Sequence, residues 1–167
     1  TEKVFESPKP TALIERIVQI ATDPDSIVLD FFAGSGTTAE AVFRANIIDG
    51  GSRRLILVQL PEVTPPGSAA ARAGYATIAE VSRERVRRSG AKLIANVLPS
   101  GADVGFRAMK VDTTNFADVL RTPDGLDQAE LELFTGSVKP YRTGEDLLFQ
   151  VLLDWGLEPT MPIAVEQ

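Results

Sequence analysis

Residues 27–38, Ile-Val-Leu-Asp-Phe-Phe-Ala-Gly-Ser-Gly-Thr-Thr, constrain the fold of this chain more than any other stretch. The apolar run Ile27 to Phe32 predicts a strand carrying Asp30 near its end. A tight turn with Gly34 and Gly36 follows. An amphipathic segment from Thr37 to the breaker pair Gly50-Gly51 then predicts a helix. Leu55 to Leu60 predicts a second buried strand, with Gln59 as the polar group at its end. Strand, helix and strand in that order give a right-handed βαβ unit, hence a parallel pair and an α/β fold.

A turn of this kind suits a nucleoside-bearing ligand. Glycines let the backbone come close to a bound group and adopt geometries closed to other residues. The helix that follows offers free N–H groups and a positive dipole end. Asp30 stands where open α/β sheets bind ligands, at the carboxyl end of a strand. An ordinary strand–turn–helix would also use glycine, but would not need the acid there. The spacing is not GxxxxGK[ST], and no lysine lies near the turn to hold phosphates. It is not GxGxxG either, since Thr38 and Ala39 occupy the last positions of that pattern.

The rest of the chain reads as alternating helices, loops and a few strands. Leu13, Ile14, Ile17, Val18 and Ala21 share one face of a first helix, with Pro10 in its first turn. Residues 61–74 form a Pro-, Gly- and Ala-rich loop. A helix is expected over 76–88, broken at Ser89-Gly90, then a strand over 106–111 and helices over 126–134 and 144–155. In the last of these, Leu147, Leu148, Val151, Leu152 and Trp155 form a core stripe, and Gly156 caps the end. Arg83, Arg85, Arg87, Arg88 and Lys92 interleave with Glu80 and Glu84, which favours a salt-bridged helix face over a phosphate-binding one. Of Phe31 and Phe32, one is expected in the core and the other along a ligand pocket.

Composition removes several kinds of chemistry. The 167 residues suit one domain with a sizeable core, and include neither cysteine nor histidine. Disulfides, thiolate or imidazole metal sites and histidine acid–base catalysis are therefore excluded, and no metal site is expected. No apolar run is long enough to span a bilayer, so a cytoplasmic location without membrane contact is expected. The formal net charge of −6 argues against strong DNA binding by these residues alone. It is uneven: residues 1–99 carry eleven acids and twelve bases, residues 100–167 twelve acids and five bases.

The segment Asp30-Phe31-Phe32-Ala33-Gly34-Ser35-Gly36-Thr37-Thr38 resembles the cofactor loop of S-adenosylmethionine (SAM)-dependent DNA amino-methyltransferases. Lys9-Pro10 and Leu13 match the K-P-x-x-L element that precedes that loop in members with permuted motif order. Gln59 departs from the commoner acid at the ribose-binding strand end; an amide still bonds to hydroxyls, without charge assistance. Further matches are F-x-S-P-K-P-T from Phe5, Leu57-Val58-Gln59-Leu60-Pro61-Glu62, Y-A-T-I-A-E-V-S-R-E-R-V-R-R from Tyr75, G-F-R-A-M-K-V-D-T-T-N-F from Gly105 and G-E-D-L-L-F-Q-V-L-L-D-W-G-L from Gly144. Their succession is similar to the C-terminal part of the modification subunit of type III restriction–modification systems, over essentially the whole chain.

The resemblance implies a partial Rossmann-like methyltransferase fold with flanking helices and a helical C-terminal extension, divided as 1–112 and 113–167. It implies SAM as cofactor, lying across loop 32–38 with Phe32 and Ser35. Asp30 would serve its methionine end. Ser7, Lys9 and Thr37 would serve its carboxylate. Gly34 and Gly36 would give close approach, and Gln59 would meet the ribose. The implied reaction is methylation of adenine N6 in a short DNA site. The D-P-P-Y motif that such enzymes use on a flipped base is absent; Pro65-Pro66, between Thr64 and Gly67, cannot replace it. No catalytic residue is therefore assigned, and the chain is expected to be a portion of a larger enzyme, inactive alone. The partners implied are double-stranded DNA through the complete enzyme, a helicase–nuclease restriction subunit and a second modification subunit. The alternative is a non-catalytic module bridging modification and restriction subunits through its acidic end.

Overall fold

The computed structural model describes residues 5, 8–97, 103–116 and 138–164. Its contacts divide the chain into two units, Thr1–Phe106 and Arg107–Gln167.

The first unit is built around the expected βαβ core. Helix α1 spans Thr11–Ala21, with Pro10 at its N-cap in extended conformation. Strand β1, Ile27–Asp30, leads into α2, Thr37–Asp49, and β2 is Arg54–Leu57. The strands pair in parallel, Ile27 opposite Arg54 and Asp30 opposite Leu57. Both are shorter than the apolar runs suggest. Beyond Asp30 the chain turns, and single bonds hold the next residues: the amide of Val58 donates to Asp30 at 2.8 Å and that of Ala33 to Val58 at 3.1 Å.

Helix α2 lies on one face of this pair. Val42 and Ala45 pack with Val18 of α1, Val28 and Leu55. Ala39 and Phe43 pack with Val86 and Leu93, with Leu55, Leu57 and Val104 alongside. The second strand is thus not buried on both sides. Ile27, Leu29 and Ile56 are at least half exposed on the opposite face. Likewise only Val18 and Ile14 of α1 turn to the core, while Leu13 and Ile17 are exposed. Buried Arg53 fastens the far end. Its guanidinium donates to Thr22 at 2.7 Å and pairs with Asp49 at 2.8 Å, while its amide bonds to Asn46.

Two predicted boundaries shift. The 61–74 segment contains a short helix, α3, Ala69–Arg72, which Ser68 caps by accepting from the Ala71 amide. Helix α4 runs from Ile78 to Val97, straight through Ser89-Gly90. A T-x-x-E start, Thr77 to Glu80, opens it: the Glu80 carboxylate accepts from the Ala76 amide and Thr77 from the Glu80 amide. Gly90 is not a breaker but a point of close approach, since a Cβ there would stand 3.1 Å from that of Val104.

Residues 106–111, where the second unit begins, form no strand. Their alternation has no partner strand among the described residues to bond to. Helix α5, Gly144–Asp154, starts with a capping box between Thr143 and Asp146 and ends at Gly156 in the left-handed region. None of its residues is buried, so the expected core stripe is only half covered, and Trp155 beyond it is 76% exposed. Polar bonds anchor the helix instead. Asn115 donates through its amide to Gln150 and through its side chain to the Asp146 carbonyl, both at 2.7 Å. The predicted helix over 126–134 lies outside the described residues.

Candidate functional site

The turn 31–36 connects β1 to α2, and its two sides differ. On the side at the strand ends, Asp30 and Gln59 meet the turn's backbone. Oδ1 of Asp30 accepts from the Phe32 amide at 3.1 Å, and Oδ2 accepts from the Thr38 hydroxyl at 2.6 Å. Oε1 of Gln59 accepts from the Gly34 amide at 2.7 Å. Gly34 lies in the left-handed region at φ +54°, and a Cβ there would meet nothing closer than Phe5, at 3.7 Å. Phe31 and Phe32 are both exposed, 63% and 79%, and their rings tilt against each other at 5.2 Å. The expected split between core and pocket therefore does not occur: with β1 ending at Asp30, both rings belong to the turn.

On the other side the turn rests on α4. Gly36, at φ +75°, caps α2 without a side-chain bond, and a Cβ there would stand 2.8 Å from the Ser82 hydroxyl and 3.3 Å from the Ser82 carbonyl. Its neighbours Ser35 and Thr37 are buried with their hydroxyls 3.2 Å apart. Nη1 of Arg85 donates to both at 2.8 Å. Nη2 of Arg85 reaches Glu40 at 3.2 Å and Thr11 at 3.3 Å. Arg85, Ser35 and Glu40, with Phe5, Pro8 and Tyr75, line part of a cavity of about 340 Å³. That cavity is on the α4 side and takes in neither Asp30 nor Gln59.

The predicted residues thus form two groups. Asp30, Gly34 and Gln59 come together with Phe32 at the strand ends, whereas Ser35 and Thr37 turn to Arg85. Lys9 stands exposed just before α1, and Ser7 lies outside the described residues. Sequence reasoning missed Thr38, Glu40 and Arg85. The second threonine of the motif is a signal for Thr38; nothing in local spacing links Arg85 to a loop 48 residues away. Arg87 and Arg88 of α4 behave as an ordinary paired face, both bonded to Glu84.

Burial pushes the Glu40 carboxyl up, but its bonds to Arg85 and Arg44 outweigh this and hold it below its ordinary value of 4.5. A carboxylate depressed in the folded state stabilises the fold above its unfolded value and loses that contribution as pH falls through the folded one. Thermal melts between pH 7 and pH 3 are therefore expected to show a stability loss beginning below about 4.5 that Glu40→Gln makes shallower. Equal pH slopes in the two proteins would remove Glu40 from that account.

Residues 1–47 match the family model described as DNA methylase. The chain is 44% identical over 78% of its length to the type III restriction-modification enzyme StyLTI Mod subunit of Salmonella typhimurium, covering 19% of that protein. It is 39% identical over 75% of its length to the EcoPI Mod subunit of Escherichia phage P1, covering 22%. To the EcoP15I Mod subunit of Escherichia coli it is 36% identical over 74% of its length, covering 20%. The chain thus spans about a fifth of the length of these relatives. The likeness runs well past the glycine turn, into α4 and beyond, and by it the homologues of this chain are type III restriction–modification Mod subunits.

Proposed function

We propose that this chain is the SAM-binding, C-terminal portion of a site-specific DNA adenine-N6 methyltransferase of a type III restriction–modification system. The observation that carries the reading is the meeting of Asp30, Gly34 and Gln59 at the carboxyl ends of two parallel strands. The donor set fits the cofactor. A carboxylate suits the ammonium of its methionine end, and an amide suits ribose hydroxyls. Gly34 leaves open space where a side chain would intrude. Exposed Phe32 supplies a flat apolar surface for adenine. Lys9 and Ser7 serve the cofactor's carboxylate, and Ser35, Gly36 and Thr37 shape the turn it lies across.

SAM supplies a methyl group activated by its sulfonium. The residues here bind and align it, which is where much of the rate of such a transfer arises. No residue of this chain takes the proton; a D-P-P-Y motif and the DNA-reading surface belong to other parts of the parent protein. The fold proposed is a partial Rossmann-like sheet, over 1–112, with the helical remainder 113–167 appended. The bare face of β1 and β2 supports this, because parallel sheets are covered on both sides in complete proteins. Double-stranded DNA, a second modification subunit and a helicase–nuclease subunit are the partners proposed for the whole enzyme, in the cytoplasm.

Titration of SAM and of its demethylated product into the chain, followed by calorimetry, tests the reading. Saturable binding of both is expected. Absence of binding by a folded chain would favour a second reading, a non-catalytic module bridging the two kinds of subunit. The acidity of residues 100–167 and the exposed Leu153 and Trp155 support that one.

A further inference from the structure

We propose that Arg85 is a positioning residue for the glycine turn: its guanidinium fixes the turn from behind and so sets ligand affinity on the opposite side, where Asp30 and Gln59 stand. The second half of this rests on the SAM reading above; the first half does not.

The geometry is specific. Gly36 is the only residue between Ser35 and Thr37, it lies in the left-handed region, and no side chain caps the helix it begins. The hydroxyls on either side of it are held by one nitrogen, Nη1, at 2.8 Å each. A guanidinium can do this because its donors form a rigid planar fork, and the remaining nitrogen still reaches Glu40 and Thr11. One side chain of α4 therefore ties together the turn, the first turn of α2 and the start of α1. An ordinary interhelical ion pair would account for Glu40 alone.

The consequences of losing it fall unevenly. Glu40 keeps Arg44, which bonds to it at 3.0 Å. Among the described residues, Ser35 and Thr37, both 4% exposed, would keep only each other. Two buried hydroxyls then compete for one bond, and a turn whose backbone already occupies an unusual region gains alternatives. The amides of Ala33 and Gly34, which bond to Val58 and Gln59 on the opposite side, and that of Gly36, which bonds to the Ala33 carbonyl, belong to the same short turn. Their directions change when Ser35 and Thr37 do. Arg85 thus touches no ligand in this arrangement and acts through the backbone.

Arg85→Met keeps an unbranched apolar stem of similar bulk and removes all the donors. Amide hydrogen exchange, read residue by residue by NMR on the full chain, is expected to quicken about tenfold or more at Ala33, Gly34 and Gly36, with protection in β1, β2 and α1 retained. SAM affinity by calorimetry is expected to weaken about tenfold over the same comparison. Unchanged exchange in the turn overturns the proposal. So does quickening spread evenly over the unit, which would make Arg85 a general stabiliser. A loosened turn with wild-type SAM affinity overturns the link to binding. A wild-type chain that binds no SAM overturns the cofactor reading, while the exchange measurement still decides whether Arg85 fixes the turn. If Arg85→Met does not fold, Arg85→Lys carries the test: it keeps the charge but cannot span both hydroxyls and Glu40, so full protection of the turn in that variant overturns the proposal.

Discussion

Asp30→Ala is expected to reduce SAM affinity about a hundredfold or more, the largest effect of any single change at the strand ends. Two losses combine. A carboxylate bonded to an ammonium contributes about 1.5–3 kcal/mol, as hydrogen bonds to charged groups do. The same carboxylate also orders the turn, accepting from the Phe32 amide and the Thr38 hydroxyl. Removing it frees both donors and lets the backbone next to Gly34 drift. Asp30→Asn separates the two effects. It keeps an oxygen for one of the donors but loses the charge, so its turn is expected to stay near wild type in hydrogen exchange while its affinity falls about tenfold. Calorimetry on the three proteins, with thermal melts as a control for folding, makes the comparison. Equal affinity in wild type and Asp30→Ala would remove Asp30 from the site.

Gly36→Ala is the change expected to cost the fold most for a single methyl group, about 2–4 kcal/mol. The backbone term comes from φ +75°, where a Cβ approaches the following carbonyl. The packing term comes from α4, because the new atom would lie 2.8 Å from the Ser82 hydroxyl, 3.2 Å from Val86 and 3.3 Å from the Ser82 carbonyl. Gly67 provides the reference. It has the same φ, +75°, but a methyl carbon there would meet nothing within 4 Å, so Gly67→Ala carries the backbone term alone, about 1–2 kcal/mol. Ser82→Ala in the Gly36→Ala background relieves one contact and leaves the carbonyl, so it is expected to recover only part of the loss. Chemical denaturation of these variants gives the differences. A Gly36→Ala protein as stable as Gly67→Ala would mean that α4 moves away at little cost.

The sequence makes the βαβ unit legible because each of its signals is local. An apolar run, a glycine turn and a helical period need no knowledge of what lies across the fold. The motif also points to Asp30, Gly34 and Gln59, which come together. The features that escape it depend on distant partners. Gly90 reads as a breaker until Val104 is seen against it, where the missing side chain permits close packing rather than ending a helix. The alternation at 106–111 has the period of a strand but no neighbour to bond among the described residues. Arg85 reads as one more cation on a paired surface, and its hydroxyl partners lie 48 and 50 residues away. A division of Phe31 and Phe32 between core and pocket needs a strand that reaches them, but pairing stops at Asp30 and both rings stay out.

The uncovered sheet face has a practical consequence for anyone handling the chain. Ile27, Leu29 and Ile56 present neighbouring aliphatic surface on adjacent strands, and Phe31, Phe32, Val58 and Leu60 extend it past the strand ends. A fluorescent apolar dye will find that surface in the native state. Dye uptake is ordinarily taken as a sign of a molten globule; for this chain it reports the exposed aliphatic face of the native sheet. Self-association at high concentration would follow from the same strip, and salt would do little to prevent it, because the attraction is apolar rather than ionic.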